Sequence, residues 1–155
     1  MPIGAVCGTE AVWEKIYGEN PLAHTSTFGG NPLACSAALA MLEVLESENL
    51  IEKSRIRGAQ MLSGFQGVQK RNPHMLSAVR GRGLMVGIEF AEDEVGELVV
   101  ASLLKREVCV AYALNNPRVL RFEPPLIISE EQVSYAVSAV EEALLETTEL
   151  LAMIG

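Results

Sequence analysis

The sequence of 155 residues has few of the residues that mark disulfide-bonded or metal-binding proteins. Its three cysteines, Cys7, Cys35 and Cys109, are an odd number without a Cys-x-x-Cys spacing. Neither a disulfide framework nor a zinc site is therefore indicated, and we expect the cysteines to be buried small hydrophobic residues. The two histidines, His24 and His74, are far apart in the sequence and have no ligand-type spacing to a cysteine, so we expect no metal site.

Long apolar runs are also absent from the sequence. No run reaches the roughly 18 residues that a membrane-spanning helix needs. The first residues do not combine a charged segment with a following apolar segment, which is the pattern of a signal peptide. We therefore expect a soluble, cytoplasmic protein that has no membrane partner.

Basic residues are scarce, with 12 Lys and Arg against 20 Asp and Glu and a formal net charge of −8. Nucleic acid is thus not an expected partner, because neutralising its phosphates requires a basic surface. All charged residues between positions 53 and 82 are nevertheless basic. They could form a face for an acidic partner or polyanion, but we prefer a solvated helix face that docks on acidic surface of the same protein.

The composition is that of an ordinary globular protein, with 49% hydrophobic and 21% charged residues. A chain of this size buries about 68–70% of its unfolded surface, which is enough for a core of its own. The default expectation is one domain with an appended arm.

The first third of the chain is predicted to hold a short strand over residues 2–8, a helix capped by Thr9 and a long alanine-rich helix. Asn31 suits the N-cap of the long helix, because its side-chain oxygen can accept a hydrogen bond from a free backbone N–H. Pro32 suits the first helical position. The apolar residues of this helix lie on most of its sides, which favours burial between two bodies and a role as a domain connector that ends near Asn49.

The remainder of the chain predicts alternating strands and helices. Helices are expected over residues 50–69 and 92–106, and a capping box of Ser129 and Gln132 begins a final helix. Four short strands are expected over residues 75–79, 84–90, 108–114 and 119–122, with turns at residues 80–83 and 115–117. The order ββ-α-ββ-α predicts the α/β class, as an α+β small domain with a mainly antiparallel sheet and helices on one side.

A polar loop before the long helix could bind an anion. Ser26 and Thr27 offer hydroxyl groups to phosphate oxygens, and Gly29 and Gly30 allow the backbone to be approached closely. The hydroxyls precede the glycines, so the loop is neither a Walker loop nor a dinucleotide fingerprint. A strand-to-helix turn with solvated hydroxyls is the alternative interpretation.

Arg121 is the sharpest single candidate for a binding residue. Its guanidinium is a planar bidentate donor for a carboxylate, and Pro124 and Pro125 form a rigid turn behind it. The residues alone favour the alternative, which is a surface arginine paired with Glu123.

Four ordered motifs resemble one enzyme family. The segment HTSTFGGNPLA at residues 24–34 closely resembles the loop with which class-III, fold-type-I aminotransferases close over the phosphate of pyridoxal 5'-phosphate. The other motifs are MPIGA at 1–5, RGRGLM at 80–85 and RFEPPL at 121–126. Residues 114–125 are most similar to the putrescine (diamine) aminotransferases, and acetylornithine and ornithine aminotransferases are near relatives.

The resemblance also identifies a missing residue. The family's Schiff-base lysine lies just before the MPIGA segment, and none of the lysines of this chain occupies that motif; they are Lys15, Lys53, Lys70 and Lys105. The sequence therefore resembles the C-terminal third of such an enzyme. We expect it to hold no catalytic residue and to be inactive alone.

The resemblance implies binding roles for three residues. Arg121 would bind a substrate carboxylate, which in a diamine enzyme belongs to the 2-oxo acid acceptor. Thr27 would bind the phosphate of pyridoxal 5'-phosphate through its hydroxyl and N–H, and Ser26 would lie near the substrate. Both Ser26 and Thr27 would act in trans, across the interface of a homodimer.

The resemblance finally implies a domain division and an activity. Residues 1–30 would be the tail of the large cofactor-binding domain, residues 31–52 a connecting helix and residues 53–155 the C-terminal small domain. The small-molecule substrates would be an amine and a 2-oxo acid, with an amino group moving from a putrescine-like diamine to an acceptor such as 2-oxoglutarate. The alternatives are a fragment of an acetylornithine or ornithine aminotransferase, or a non-catalytic binding or regulatory domain derived from an aminotransferase.

Overall fold

The computed structural model describes residues 1–23 and 25–154, except for the side chain of Ile154. Its internal contacts divide it into two compact units, Met1–Glu48 and Asn49–Gly155. The domain bounds that the sequence suggested stay a prediction. No helix in the described part of the chain has both the length and the apolar character needed to cross a membrane.

The first unit holds two helices, α1 (Glu10–Tyr17) and α2 (Pro32–Ser47). Helix α1 follows Thr9 as predicted, but the Thr9 side chain forms no capping hydrogen bond. The strand predicted over residues 2–8 is wrong, since no strand is present there. A strand needs a neighbour that pairs with its backbone N–H and C=O groups, and the described residues of this unit contain no other strand.

Helix α2 begins as the sequence predicts. The Asn31 Oδ1 atom accepts hydrogen bonds from the backbone N–H of Leu33 at 3.0 Å and of Ala34 at 3.2 Å. Ala34 is the buried residue of this helix, and the burial expected for α2 between two bodies is not found in this chain. Its exposed large apolar residues are Leu33, Leu39, Met41, Leu42 and Val44.

The second unit is an antiparallel four-stranded sheet with three helices. The helices are α3 (Leu50–Arg71), α4 (Asp93–Lys105) and α5 (Glu130–Ile154). The strands are β1 (Leu76–Arg82), β2 (Met85–Phe90), β3 (Ala111–Ala113) and β4 (Asn116–Phe122). All pairings in the order β1-β2-β4-β3 are antiparallel, which confirms the predicted α+β arrangement.

Both predicted turns are shorter in the structure. Strand β1 continues through the glycine-rich segment, with Arg80 opposite Gly87 and Arg82 opposite Met85, so the turn of this hairpin is at Gly83 and Leu84. Strand β4 likewise starts at Asn116, which the sequence placed in a turn. In both places the backbone pairing of neighbouring strands outweighs the local turn preference of Gly and Asn.

Successive side chains along each strand point to opposite faces of the sheet, and one of these faces is buried. Val86, Ile88 and Phe90 are at most 1% exposed and lie on the face that α3 and α4 cover. Helix α5 packs on these two helices, which confirms that the helices share one side. We call the opposite face of the sheet the open face; it carries Arg80, Gly87, Glu89 and Arg121 in β1, β2 and β4.

The core lies between the covered face and the helices. Phe65 of α3 is fully buried, and its ring centroid lies 4.6 Å from that of Phe122. Gly58 of α3 comes so close to the hairpin turn that an added Cβ would lie 2.1 Å from the Gly83 carbonyl oxygen. Helix and hairpin therefore meet backbone to backbone, a contact that needs glycine at position 58.

Helix α5 is held at its start and near its end by polar contacts. The Ser129 N–H donates to Gln132 Oε1 at 2.9 Å and the Gln132 N–H donates to Ser129 Oγ at 3.2 Å, which confirms the predicted capping box. Near its end, Glu146 accepts from Lys105 Nζ at 2.6 Å and from Arg106 Nη1 at 2.9 Å. Together with a hydrogen bond from Ser102, these contacts lower the pKa of Glu146 to about 2.

The basic residues of the region from 53 to 82 are mainly paired with acids of the same unit. Arg57 contacts Glu130 at 2.8 Å, and Arg71 forms hydrogen bonds to Glu141, so both connect α3 with α5. These pairs agree with the preferred interpretation of a helix face that docks on acidic surface. The prediction for the cysteines is wrong, because Cys7 and Cys109 are exposed and Cys35 is half-buried.

Candidate functional site

The loop with Ser26 and Thr27 forms a tight turn ahead of α2. The Gly29 N–H donates to the Ser26 carbonyl at 3.1 Å, and the Asn31 N–H donates to the Phe28 carbonyl at 3.2 Å. Gly30 has a φ of 69°, a left-handed conformation that favours glycine even though an added Cβ would meet no atom within 4 Å. The first residue of this motif, His24, lies outside the described residues.

Thr27 is an accessible polar residue of this loop. It is exposed, and its hydroxyl and N–H have no hydrogen-bond partner within residues 1–23 and 25–154. The N–H groups of Leu33 and Ala34 are already satisfied by Asn31, so they do not serve as free donors at the helix start. Thr27 therefore offers free donors to an anion, which these two N–H groups do not.

Ser26 lines a cavity of about 650 Å³ within the first unit. The glycine turn and residues 2–5 of the first segment form the other walls. This volume lies in the range of small-molecule sites, and hydroxyl and N–H donors are the groups that a phosphate needs. The cavity is thus large enough for a small molecule, and Ser26 contributes a hydroxyl group to its wall.

Arg121 is the second-to-last residue of β4, an inner strand that is hydrogen-bonded to β2 on one side and β3 on the other. The residues opposite Arg121 are Gly87 and Ala111, both small. The Arg121 side chain is 42% exposed, and its Nη1 atom is 3.7 Å from an oxygen of Glu123. Arg121 and Phe122 lie on opposite faces as predicted, since Phe122 is buried.

Other arginines of this unit are held more closely or lie at the margin of the sheet. Arg80, on the same face, donates to Glu89 at 2.6 Å, and this hydrogen bond lowers the pKa of Glu89. Arg118 donates to the Ala91 carbonyl at 3.2 Å. Arg82 lies at the end of the edge strand β1. Arg121 therefore combines a central, rigid backbone position with a loosely held guanidinium.

The predicted site residues form two separate groups. Ser26 and Thr27 belong to the first unit, and Arg121 belongs to the second. The sequence did not indicate Gly87, whose position opposite Arg121 depends on the register of β2 and β4. No local signal in the sequence specifies that register. The Arg121–Glu123 contact, in contrast, was one of the two interpretations of the residues alone.

The sequence pattern of one protein family, described as aminotransferase class-III, matches residues 1–144. Solved structures of three aminotransferases are similar to this chain over most of its length. A lysine aminotransferase from M. tuberculosis is 28% identical with a TM-score of 0.78, and the match covers 89% of this chain and 31% of that protein.

An ornithine aminotransferase from Toxoplasma gondii is 32% identical with a TM-score of 0.73, covering 84% of this chain and 31% of that protein. An aminotransferase from Bacillus anthracis is 28% identical with a TM-score of 0.75, covering 88% and 34% respectively. The chain thus spans about a third of the length of the solved proteins that it matches.

Proposed function

The chain belongs to the class-III aminotransferase family, and we propose that it forms the C-terminal part of an enzyme that moves an amino group from a putrescine-like diamine to a 2-oxo acid such as 2-oxoglutarate. Members of this family depend on pyridoxal 5'-phosphate. The matching solved aminotransferases are about three times longer than this chain, so other parts of the enzyme contribute to its site.

The observation that carries the proposal is the environment of Arg121. Its backbone lies in an inner strand of the sheet, opposite Gly87, and its guanidinium has only a 3.7 Å contact with Glu123. A planar guanidinium with free donors is suited to bidentate binding of a carboxylate. In this proposal Arg121 binds the carboxylate of the 2-oxo acid and orients the carbonyl carbon that receives nitrogen.

Thr27 and Ser26 have the complementary role at the cofactor. Thr27 donates hydrogen bonds from its free hydroxyl and N–H to the phosphate. Ser26, in the wall of the cavity of the first unit, lies near the substrate. Both residues act on the site of the other subunit in a homodimer. Bound pyridoxal phosphate supplies the electron sink of the transfer, and the lysine that carries it lies outside this sequence.

The exposed thiols support a cytoplasmic location for this enzyme. Cys7 and Cys109 are free and exposed, a state that persists in the reducing cytoplasm.

An ornithine or acetylornithine aminotransferase is the alternative, and one of the matching solved structures is an ornithine aminotransferase. The two proposals differ in the amine donor. In the complete enzyme, we expect kcat/KM to be higher with 1,4-diaminobutane than with ornithine or acetylornithine. A higher value for either amino acid would replace the diamine proposal by the alternative.

Half-reaction kinetics test the roles of Arg121 and Thr27. In the complete enzyme, Arg121→Ala should raise KM for the 2-oxo acid, with much less effect on the diamine half-reaction. Thr27→Ala removes a hydrogen bond to a charged phosphate, worth roughly 1.5–3 kcal/mol, so cofactor affinity should fall about ten- to a hundredfold and excess cofactor should restore activity.

Two neighbouring residues provide matched controls. Arg118→Ala removes an arginine of the same strand, and Thr25→Ala removes an exposed hydroxyl of the same loop. Arg118→Ala should not raise KM for the 2-oxo acid as Arg121→Ala does, and Thr25→Ala should not lower cofactor affinity as Thr27→Ala does. Equal losses in both half-reactions for Arg121→Ala, or a Thr27→Ala defect that persists in excess cofactor, would contradict these assignments.

Borohydride trapping distinguishes the enzyme fragment from an autonomous domain. The 155-residue chain mixed with pyridoxal phosphate should show no stoichiometric, borohydride-trapped modification at a single lysine. Peptide mapping by mass spectrometry is the measurement. One specifically modified lysine would mean that the chain holds its own cofactor.

A further inference from the structure

The Arg121–Glu123 pair brings opposite charges together loosely on a solvent-accessible surface. The two side chains are 42% and 45% exposed, and their closest nitrogen and oxygen atoms are 3.7 Å apart. That separation exceeds the range of a hydrogen bond, which ends near 3.2 Å for N–H···O. A ligand can therefore reach either charge by breaking only a weak attraction.

The Arg80–Glu89 pair on the same face shows how a closed pair differs. Its atoms are 2.6 Å apart, the Glu89 side chain is only 22% exposed, and its hydrogen bond with Arg80 lowers the pKa of Glu89. The Glu89 carboxylate is therefore already bound by Arg80 and is not available to a ligand. Glu123 is the acidic group beside Arg121 that remains accessible to a ligand.

The two substrates of the proposed reaction differ in charge, and this step rests on the proposed function. A 2-oxo acid presents a carboxylate to the site, whereas a diamine presents a second ammonium group and no carboxylate. One arginine alone attracts the first ligand and repels the second. A site that takes both in turn needs an acidic group within reach of the same position.

We propose that Glu123 is a specificity-determining residue that binds the distal ammonium group of a diamine, in the place where Arg121 binds the carboxylate of the oxo acid. Each ligand uses one member of the pair and leaves the other in contact with water. Gly87, opposite Arg121, adds no side chain to this part of the open face and leaves room for the ligand.

The rigid chain after β4 keeps the two groups together. Glu123 follows the last residue of the strand and precedes Pro124 and Pro125, whose rings fix φ near −65°. Arg121 and Glu123 are two residues apart, so their side chains leave an extended strand on the same side. The backbone positions of Arg121 and Glu123 are thus fixed in the second unit.

The 155-residue chain itself allows the test, without cofactor or turnover. NMR titrations with 2-oxoglutarate and with 1,4-diaminobutane would follow the Arg121 side-chain N–H and the backbone amides of β4. Glu123→Gln removes the charge and keeps the size of the side chain. It should tighten 2-oxoglutarate binding about two- to fivefold, the range of one exposed ion pair, and weaken diamine binding by a similar factor.

Two further variants make the result specific. Arg121→Gln should produce the opposite pattern, with 2-oxoglutarate binding lost and diamine binding retained. Glu52→Gln is the matched control, since Glu52 pairs with the exposed Arg55 at 2.6 Å on α3 and not on the sheet. It removes the same charge and should change neither affinity.

Each other outcome overturns the inference. If Arg121→Gln loses 2-oxoglutarate while Glu123→Gln binds both ligands like the unchanged chain, Arg121 keeps its proposed role and Glu123 has none. If Glu52→Gln matches the effect of Glu123→Gln, the response reflects net charge only. If neither ligand shifts the β4 resonances, the pair is not a binding site in this chain, and the proposed function is then judged separately by its half-reactions.

Discussion

The two units of the molecule contain similar proportions of apolar residues but place them differently. In Met1–Glu48 the large apolar side chains are mostly exposed, as for Leu39 at 62% and Phe28 at 80%. In Asn49–Gly155 comparable residues such as Phe65 and Leu144 are fully buried. Apolar content alone therefore does not make a core; a sheet face that the helices can cover does.

The helices α2 and α3 show this difference most directly. Helix α2 is alanine-rich and apolar on most sides, yet only Ala34 is buried. Helix α3 carries many more charged residues and buries five positions along its length, namely Leu50, Gly58, Met61, Phe65 and Val68. An apolar stripe that faces a sheet is more effective than apolar residues distributed around the helix.

The strongest test of this comparison is the loss of one large side chain from each unit. Phe65→Ala should lower the free energy of unfolding by about 3–5 kcal/mol, because it leaves a cavity beside Phe122. Leu39→Ala, on α2, should stay within about 0.5 kcal/mol. Urea unfolding followed by circular dichroism would measure both. Similar losses would mean that Leu39 is packed in solution.

The second test concerns the contact between α3 and the hairpin turn. Gly58→Ala should destabilise the second unit by about 1–3 kcal/mol or more, since the new Cβ would overlap the Gly83 carbonyl group. Gly67→Ala, in the same helix, meets only the Arg71 side chain at 3.4 Å and should stabilise the helix by about 0.5–1 kcal/mol. Thermal unfolding should show a lower melting temperature for Gly58→Ala and a higher one for Gly67→Ala. Equal shifts of the melting temperature would contradict the close contact between Gly58 and Gly83.

Removal of one helix cap from each unit gives a smaller effect that still separates them. Ser129→Ala should cost about 1 kcal/mol and lower the stability of the whole second unit, because α5 packs on α3 and α4. Asn31→Ala should instead open only the first turn of α2. Hydrogen exchange would detect faster exchange there. A change in α5 protection in the Asn31 variant would argue against independent units.

The smallest change in the stability of the second unit is expected when the pH is lowered. Contacts with Lys105, Ser102 and Arg106 lower the pKa of Glu146 to about 2 from 4.5, so the stabilisation is present above pH 4.5 and is lost as the pH falls towards 2. Glu146→Gln should flatten the stability profile of the second unit in that window. Glu149→Gln is the control. Glu149 follows Glu146 by about one turn of α5 and forms no ion pair within residues 25–154. An unchanged slope in the Glu146 variant would contradict this link.

The sequence was sufficient where a structural signal is local. Asn31 with Pro32, and Ser129 with Gln132, predicted helix starts that the structure confirms. These signals were predictable because the capping side chain and the N–H groups that it satisfies lie within three residues. The order of strands and helices in the second unit was predictable for a similar reason, since hydrophobic periodicity changes at each junction.

The extent and register of strand pairing were not predictable in this way. The segment around Gly81 has the composition of a turn, yet its backbone pairs with β2 as far as Arg82. The contact of Gly58 with Gly83 and the position of Gly87 opposite Arg121 depend on partners that are distant in the sequence. For the candidate site, the residues alone predicted the Arg121–Glu123 contact, and only the family resemblance predicted a substrate for Arg121.

The strand order β1-β2-β4-β3 also implies a sequence of events during folding. Strands β1 and β2 are neighbours in the chain, whereas β4 reaches β2 only after all of α4 has been passed. Closing that longer loop costs more entropy, so the hairpin should form first and β4 should join later. Mutations at the β1–β2 contact should then give higher φ-values than mutations in β4. By this order, Arg121 comes to lie opposite Gly87 late, after the β1–β2 hairpin has formed.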